Sequence, residues 1–502
     1  MSTPLLEPLE RDAWDARTAR HLLNRAGFGV PRSRWERLTS LGMESAMREL
    51  LYYETQFESS SKPRLVLDNP SVQERRELYR DLDEEGRRAL QNERRREERK
   101  SIAELKGWWL DRMLATKRPF QEKLALFWHG HFATSAQKVT VPLHNWQVND
   151  IVRRNASGNF KTLAIEMGQS PAMLDYLDNR RSTKRKPNEN WARELMELFT
   201  MGVGNYSEDD IKNSARAFTG WNSDHEKFVY REDLHDFESK TFMGRTGNFD
   251  GWDIIDIIFD QPVTAEYIAG ELWTYFAYAE PEPEIVSGLG ATLRDHDYDL
   301  KPMLDQLFAS RAFYSDKAIG TQIKSPAQLI IQLCSELGVD DPPYALVVSA
   351  MRQLGQDLFN PPNVKGWDGG KAWINANALL YRYNLPATLI APRATRDDRM
   401  QQKKKNAAKA DESMMAERNP NRPAPWDADA FFGQFEFTTV GECLDVLTEH
   451  CLSVPLSPAQ RATIIEAMDA RERTRMTPNS VSGSRMRTAL HLLTSSAEYQ
   501  LC

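Results

Sequence analysis

The polar residues best suited to chemistry lie within residues 187–221, where carboxylates recur at helical spacing. Glu189 precedes Arg193 by four residues and Glu197 follows it by four, so one guanidinium can pair with a carboxylate on either side. Glu194 lies beside Glu197 on a neighbouring stripe of the same predicted helix. Carboxylates grouped in this way serve as general acids and bases or as metal ligands. The same spacing is typical of ion pairs on an exposed helix, and taken alone it favours that role.

Two histidines, His129 and His131, form a second candidate group in the aromatic stretch 121–132. Imidazole is both the commonest metal ligand and the commonest general base. On a continuous helix these side chains point about 200° apart, so they would share one metal ion only if the helix ended at Gly130. Such a site would take a further ligand from Glu194. Histidines hydrogen-bonded within an aromatic core explain the pattern at least as well, because one HxH pair falls short of a zinc motif.

A third group, His235, Asp236 and Lys240, lies on a predicted loop or hairpin. Functional residues concentrate on such loops, although adjacent residues of a strand point to opposite faces and so do not form a ready-made dyad. If the three groups met between helices, as sites in helical bundles do, they would form a metal-dependent hydrolase or oxidoreductase. The candidate catalytic residues are His129, Glu189, Arg193, Glu194, His235, Asp236 and Lys240, and the candidate ligands of a divalent metal are His129, His131 and Glu194.

Helices must position these groups, because apolar residues recur at helical spacing along most of the chain. In residues 187–221, Asn188 or Asn190 caps a first helix, Gly202 and Gly204 end it, and Ser207 opens a capping box for a second. The sequence therefore predicts a mainly α fold, a large multi-helix, bundle-like body with short irregular or β segments near residues 225–250 and 355–375.

Composition divides the chain into three parts. The main helical body covers residues 1–392 and includes a charged helical insert, residues 71–105, in which positive and negative side chains are interleaved. Residues 393–426 combine low apolar content with clustered charge, which predicts a flexible linker. Residues 427–502 are expected to form helices that pack on the main body.

Composition also argues against several classes of protein. The formal net charge of −7 gives no general attraction to nucleic acid or to anionic membranes, and no apolar run approaches the length of a membrane span. The basic loop 180–186 is more typical of a solvated surface than of a nucleic-acid site. Four scattered cysteines and the lack of a recognisable signal peptide favour the cytoplasm, with export by another route or with a partner left open.

Six segments, found in the same order, resemble the uncharacterised bacterial family catalogued as domain of unknown function 1800. They are HLLNRAGFG (21–29), LFWHGHFATS (126–135), residues 187–221, HDFESKTFMG (235–244), LFNPPNVKGW (358–367) and SSAEYQ (495–500). The resemblance implies a large bacterial protein, often encoded beside a sulfatase-like partner family, domain of unknown function 1501. It implies no established activity. Family members often carry a histidine where this chain has Phe199. The absence of that histidine weakens any hypothesis in which a histidine of this helix acts in catalysis.

Two hypotheses of function remain open. The first is a binding or assembly protein that acts with the sulfatase-like partner in its maturation, and it is favoured by the family neighbourhood and by the lack of a complete catalytic signature. The second is the metal-dependent hydrolase or oxidoreductase with a His/Glu site between helices. The sequence does not decide whether the protein is an enzyme, and it names no substrate.

Overall fold

The computed structural model describes residues 3–29, 32–58, 63, 72–224, 226–390, 426–478 and 483–502. The predicted linker, residues 393–426, lies outside the described residues except for Trp426. The indole N–H of Trp426 donates a hydrogen bond of 2.9 Å to the Leu337 carbonyl, so the chain after the linker contacts the main body at this point.

Helices account for 62 % of the described residues, which confirms the predicted mainly α fold. The helices up to residue 217 are α1 (Ala16–Ala26), α2 (Arg32–Leu41), α3 (Met43–Leu51), α4 (Val72–Arg80), α5 (Glu84–Ala115), α6 (Pro119–His131), α7 (Pro142–Arg154), α8 (Phe160–Gln169), α9 (Pro171–Tyr176), α10 (Asn190–Glu194) and α11 (Glu208–Ala217). Those that follow are α12 (Gly251–Phe259), α13 (Pro262–Phe276), α14 (Pro283–Asp295), α15 (Leu300–Ala309), α16 (Pro326–Glu336), α17 (Tyr344–Gln353), α18 (Ala376–Ile390), α19 (Ala428–Phe432), α20 (Val440–Cys451), α21 (Pro458–Ala467) and α22 (Gly483–Ser495).

The described residues form two small antiparallel sheets, both near the predicted irregular region 225–250. Strand β1 (Trp221–Asp224) pairs with β2 (Lys227–Tyr230), and β3 (Lys240–Phe242) pairs with β4 (Arg245–Gly247). The second predicted irregular region, 355–375, consists of turns and one short 3-10 helix, Gly370–Trp373.

Local capping explains where several helices begin. The Ser207 hydroxyl accepts the amide N–H of Asp210, and the Asp210 carboxylate accepts the amide N–H of Ser207, which confirms the predicted capping box of α11. Asn188 accepts the amide N–H of Asn190 at 2.8 Å and so marks the start of α10.

Helix α5 has two halves with different surroundings. It is about 48 Å long, from 32 residues at about 1.5 Å each. Residues 84–100 are largely exposed, whereas Leu105, Trp109 and Met113 are buried in the core. From Ser101 onward the charged helix acquires an apolar face, which docks on the body. None of the described helices is both long enough and apolar enough to cross a membrane.

Candidate functional site

Three of the segments that resemble the family meet at the C-terminal end of α6, and we call this meeting point the motif junction (residues 129–131, 195–200 and 359–367). The backbone N–H of Phe359 donates to Nε2 of His129 at 3.1 Å, and the Phe359 carbonyl accepts the N–H of Ala136 at 2.8 Å. The ring of His131 is hydrogen-bonded on the opposite side, to the Phe199 carbonyl. The two histidines therefore join α6 to two segments that are distant in sequence.

The backbones of Gly130 and Gly366 approach too closely for any side chain at residue 366. A Cβ atom at Gly366 would lie 2.1 Å from the Gly130 carbonyl oxygen, and Gly366 has a φ of +82°. Glycine tolerates both conditions because it has no Cβ. The ring of Trp367 covers Gly130 directly beyond this contact. The 359–367 segment is thus held against α6 by backbone contact.

His129 is a buried core histidine rather than an accessible base. It is 1 % exposed, and the rings of Trp109, Phe359 and Trp367 surround it with centroids 5.1–5.7 Å away. Burial lowers its pKa to about 3. Since Nε2 accepts a hydrogen bond, the proton of the neutral ring is assigned to Nδ1, which has no hydrogen-bond partner among the described residues.

His131 is half-buried and takes the opposite tautomer. Its Nε2–H donates to the Phe199 carbonyl at 2.9 Å, and its ring stacks on Phe127 with centroids 5.8 Å apart. Burial lowers its pKa to about 4, although the hydrogen bond opposes this shift. His129 and His131 therefore use their Nε2 atoms in separate structural contacts, and neither Nε2 is free to bind a metal ion shared by both.

A π-helix, Leu195–Thr200, continues α10 and carries the carboxylates of this region. The Tyr267 hydroxyl donates to the Leu198 carbonyl at 2.8 Å, which satisfies one carbonyl near its end. Helical spacing in the sequence did not predict this change of pitch. π-Helical turns are rare and occur frequently at functional sites.

Glu194 and Glu197 lie side by side at the start of the π-helix, and both are half-buried. Burial raises the pKa of Glu194, and the charge of Glu197 raises it further, against the opposing charges of Arg193 and Lys365. The Tyr206 hydroxyl donates to Glu197 at 2.8 Å. Among the carboxylates predicted from sequence, Glu194 therefore stands in the surroundings that favour its protonated form most clearly.

Arg193 pairs with carboxylates on the surface, and the predicted pairing with Glu197 is wrong. Its guanidinium lies 3.3 Å from Glu189 and 2.9 Å from Glu208, which projects from the first turn of α11. Tertiary packing brings α11 alongside α10, so Glu208 competes successfully for the arginine. Glu189 and Glu208 are both exposed, as expected for an ordinary surface ion pair.

His235, Asp236 and Lys240 hold their own loop against α11. Asp236 pairs with Arg216 through two contacts of 2.7 and 3.3 Å, and Lys240 donates to the carbonyls of Asp236 and Glu238. His235 Nδ1 lies 2.8 Å from the Thr219 carbonyl. These contacts give each of the three side chains a structural partner, and they do not join the group to His129 or Glu194.

No three His, Cys, Asp or Glu side chains of the described residues are grouped so that they could hold a metal ion. The predicted ligands His129, His131 and Glu194 are therefore not assembled into such a group. The three side chains do not converge because His129 and His131 form hydrogen bonds with different segments on different sides of α6.

A large cleft, which we call the α5–α17 cleft, lies beside the motif junction and has a volume of about 1650 Å³. Helices α5 and α17 form its two walls, and Ala136, Gln137, Thr140, Asp357 and Asn360 close one side. A polar chain runs along this side: Ser135 donates to Asn360 at 2.7 Å, Asn360 donates to Asp357 at 3.1 Å, and Lys106 donates to Asp357. Because Asp357 and Asn360 flank Phe359, the motif junction fixes this side of the cleft.

A buried charge network supports the cleft from behind. Glu122 is fully buried and accepts hydrogen bonds from Arg112, Arg153 and the Trp109 indole N–H. Burial raises the pKa of Glu122, but the two arginines outweigh that effect and lower it overall. The Arg153 guanidinium lies 5.2 Å from the ring centroid of Trp108, which lines the cleft. The sequence signal for this network was Glu122 on a helix rich in apolar residues, and it was missed.

The model of the family described as "Protein of unknown function (DUF1800)" matches residues 21–501. No curated protein and no solved structure matches the chain.

Proposed function

We propose that this chain, which belongs to the DUF1800 family of proteins of unknown function, is a binding or assembly protein. It holds part of a partner protein in the α5–α17 cleft. The partner we propose is the sulfatase-like protein, domain of unknown function 1501, that the sequence resemblance implies. The observation that carries the proposal is the cleft itself.

The size and lining of the cleft favour a macromolecular partner. Pockets for small molecules occupy about 300–1,000 Å³, and this cleft is larger, at about 1650 Å³. Its apolar lining includes Ile102, Trp108 and Val348, while charged residues of α5 and of the loop before α17 stand around it. An apolar centre within a polar rim is the usual anatomy of a protein–protein interface.

Several contacts preorganise the walls. Tyr344 at the start of α17 donates to Asp111 on α5 at 2.7 Å, and Lys106 pairs with Asp357. Trp108 is backed by Arg153, which Glu122 fixes through two hydrogen bonds of 2.7 and 3.1 Å. A surface that is already ordered loses less conformational entropy on binding, so these contacts favour a binding role.

The test measures binding of the purified sulfatase-like protein from the same organism by isothermal titration calorimetry. Val348→Arg places a long charged side chain in the cleft, whereas Val203→Arg is the matched control on a turn where Val203 is 76 % exposed. We expect the wild type and Val203→Arg to bind equally and Val348→Arg to bind about tenfold more weakly or worse. Equal binding by all three, or binding by none, would refute the proposal.

A second candidate function, the metal-dependent hydrolase, has one supporting observation. Glu194 is half-buried at the end of α10 beside Glu197, and a carboxylate whose pKa is raised by burial suits a general acid or base. The test is the metal content of purified wild-type protein, Glu194→Gln and the exposed control Glu232→Gln. A stoichiometric metal that only Glu194→Gln loses, with the fold retained, supports this candidate; equal metal content in all three proteins contradicts it.

A further inference from the structure

The two walls of the α5–α17 cleft are helices that lie side by side without filling the space between them. The hydrogen bond from Tyr344 to Asp111 brings the start of α17 to the end of α5. Small residues face the gap at helical spacing on both walls, Ala103 and Gly107 on α5 and Ala345 and Ser349 on α17. A Cβ atom at Gly107 would meet no atom of the described residues within 4 Å, so these residues leave the gap open at its middle.

The volume of the gap is comparable to that of a third helix. A helix of about 14 residues is about 21 Å long and about 10 Å across, which corresponds to about 1600 Å³. The cleft measures about 1650 Å³. The described residues that line it contribute no strand, so a partner cannot bind here by adding a strand to a sheet edge. A groove between two helices with an apolar lining suits another of the common modes, in which an amphipathic helix places its apolar face in the groove.

The charges around the cleft are separated along its length. The acidic end is formed by Asp111 together with Asp340 and Asp341, which immediately precede α17. Burial is the largest cause that raises the pKa of Tyr344. The hydrogen bond to Asp111 and the charges of Asp111 and Asp341 raise it further, because both carboxylates lie close to this tyrosine.

The opposite end is predominantly basic. Arg95 and Arg99 lie one turn apart on α5, and Arg352 lies eight residues beyond Tyr344 on α17, about 12 Å further along that wall. All three arginines are exposed. Glu98 and Glu104 line this part of α5 as well, but Lys100 adds a further positive charge, so the net charge there remains positive.

We infer that the α5–α17 cleft is a receptor for an amphipathic helix of the partner protein, bound with its N-terminus at the acidic end and its C-terminus at the basic end. The inference rests on the proposed function and specifies what the partner presents. The helix dipole favours this direction, because its N-terminus is partly positive and its C-terminus partly negative. The matching segment has apolar residues at i, i+3, i+4 and i+7, lysine or arginine in its first turn, and aspartate or glutamate in its last.

Three designed peptides of about 14 residues test the inference by fluorescence anisotropy. All three carry the same leucine stripe. The first has lysines in the first turn and glutamates in the last, the second has these charges reversed, and the third repeats the first with a central proline that breaks the helix. At low salt we expect the first peptide to bind about tenfold more tightly than either of the others.

A charge-reversal variant of the protein identifies the cleft as the site. Asp340→Lys/Asp341→Lys changes two exposed residues of the acidic end, and Glu232→Lys/Asp233→Lys is the matched control on another exposed acidic pair. We expect the first variant to abolish the preference between the first two peptides and the control to preserve it. Val348→Arg should weaken all binding.

The outcomes separate this inference from the proposed function. If the purified partner binds but no peptide does, or the proline-broken peptide binds as well as the helical one, the helix inference is overturned and the proposed function stands. If the first peptide binds with the expected preference while the purified partner does not, the inference holds and the proposed partner is wrong. A self-associating chain that Val348→Arg turns into a monomer would also overturn the inference, because a second copy would then occupy the cleft.

Discussion

The Nε2 atom of His129 accepts a 3.1 Å hydrogen bond from the backbone N–H of Phe359, a residue with a φ of +59°. A bulky residue in this left-handed region is strained, typically by about 1–3 kcal/mol, and persists only where its surroundings fix it. Phe359 is fully buried, and its carbonyl is also bonded, to the N–H of Ala136. His129 is therefore a positioning residue for the 359–367 segment and, through it, for one side of the cleft.

Replacing His129 with alanine should destabilise the protein by about 2–4 kcal/mol, because it opens a cavity and leaves the buried Phe359 N–H without an acceptor. His129→Gln, which keeps an acceptor, should lose less. Urea unfolding measures both. His296→Ala, at an exposed histidine, is the control and should change the free energy of unfolding by about 0.5 kcal/mol or less. An alanine variant at residue 129 as stable as this control would show that the contact does not position the segment.

Stability should fall on acidification partly because of His129. Its pKa is about 3 in the folded protein and 6.5 as the unperturbed value, so the unfolded chain binds a proton in this range while the folded protein does not. The His129 contribution is therefore complete above pH 6.5 and is lost as the pH falls towards 3. Between about pH 6.5 and 5, the wild type should lose about 1.5 kcal/mol more than His129→Gln. Parallel pH profiles from urea unfolding would contradict a neutral, buried imidazole.

Gly366→Ala should lower the free energy of unfolding by about 3 kcal/mol or more. The added Cβ meets the Gly130 carbonyl, and the alanine must also adopt a left-handed backbone conformation. Gly370→Ala is the matched control: it has a positive φ of +51°, but a Cβ atom there meets nothing within 4 Å. We expect the control to cost about 1–2 kcal/mol. Thermal and urea unfolding distinguish the two variants, and equal losses would rule out the close backbone approach.

Glu122→Gln should destabilise the protein by about 3–5 kcal/mol, since it leaves the buried Arg153 without its carboxylate and Arg112 with Glu58 alone. Arg193→Ala removes a surface ion pair and should cost about 1 kcal/mol or less. Urea unfolding compares the two variants. Fluorescence of the tryptophans should also change in Glu122→Gln, because Trp108 and Trp109 both contact the network. If both variants lost a comparable free energy of unfolding, the buried network would contribute no more to stability than the surface ion pair.

The mainly α architecture was predictable because its signals are local. The capping box at Ser207, the glycines after the π-helix and the apolar face that α5 acquires near Leu105 depend on residues within a turn or two of one another. The family was likewise evident from short segments, and its match over residues 21–501 confirms it. The candidate site was harder to predict from the sequence. Helical spacing predicts an ion pair between Arg193 and Glu197, whereas tertiary packing pairs Arg193 with Glu208.

The sequence by itself determined the helices, their caps and the family, because each is written in neighbouring residues. Only the tertiary structure decided that His129 and His131 face different partners, that α10 continues as a π-helix and that α5 and α17 leave a cleft between them. These features depend on contacts such as His129 with Phe359 and Tyr344 with Asp111, which join residues more than 200 positions apart. The spacing of residues along one helix carries no information about which distant segment packs against it.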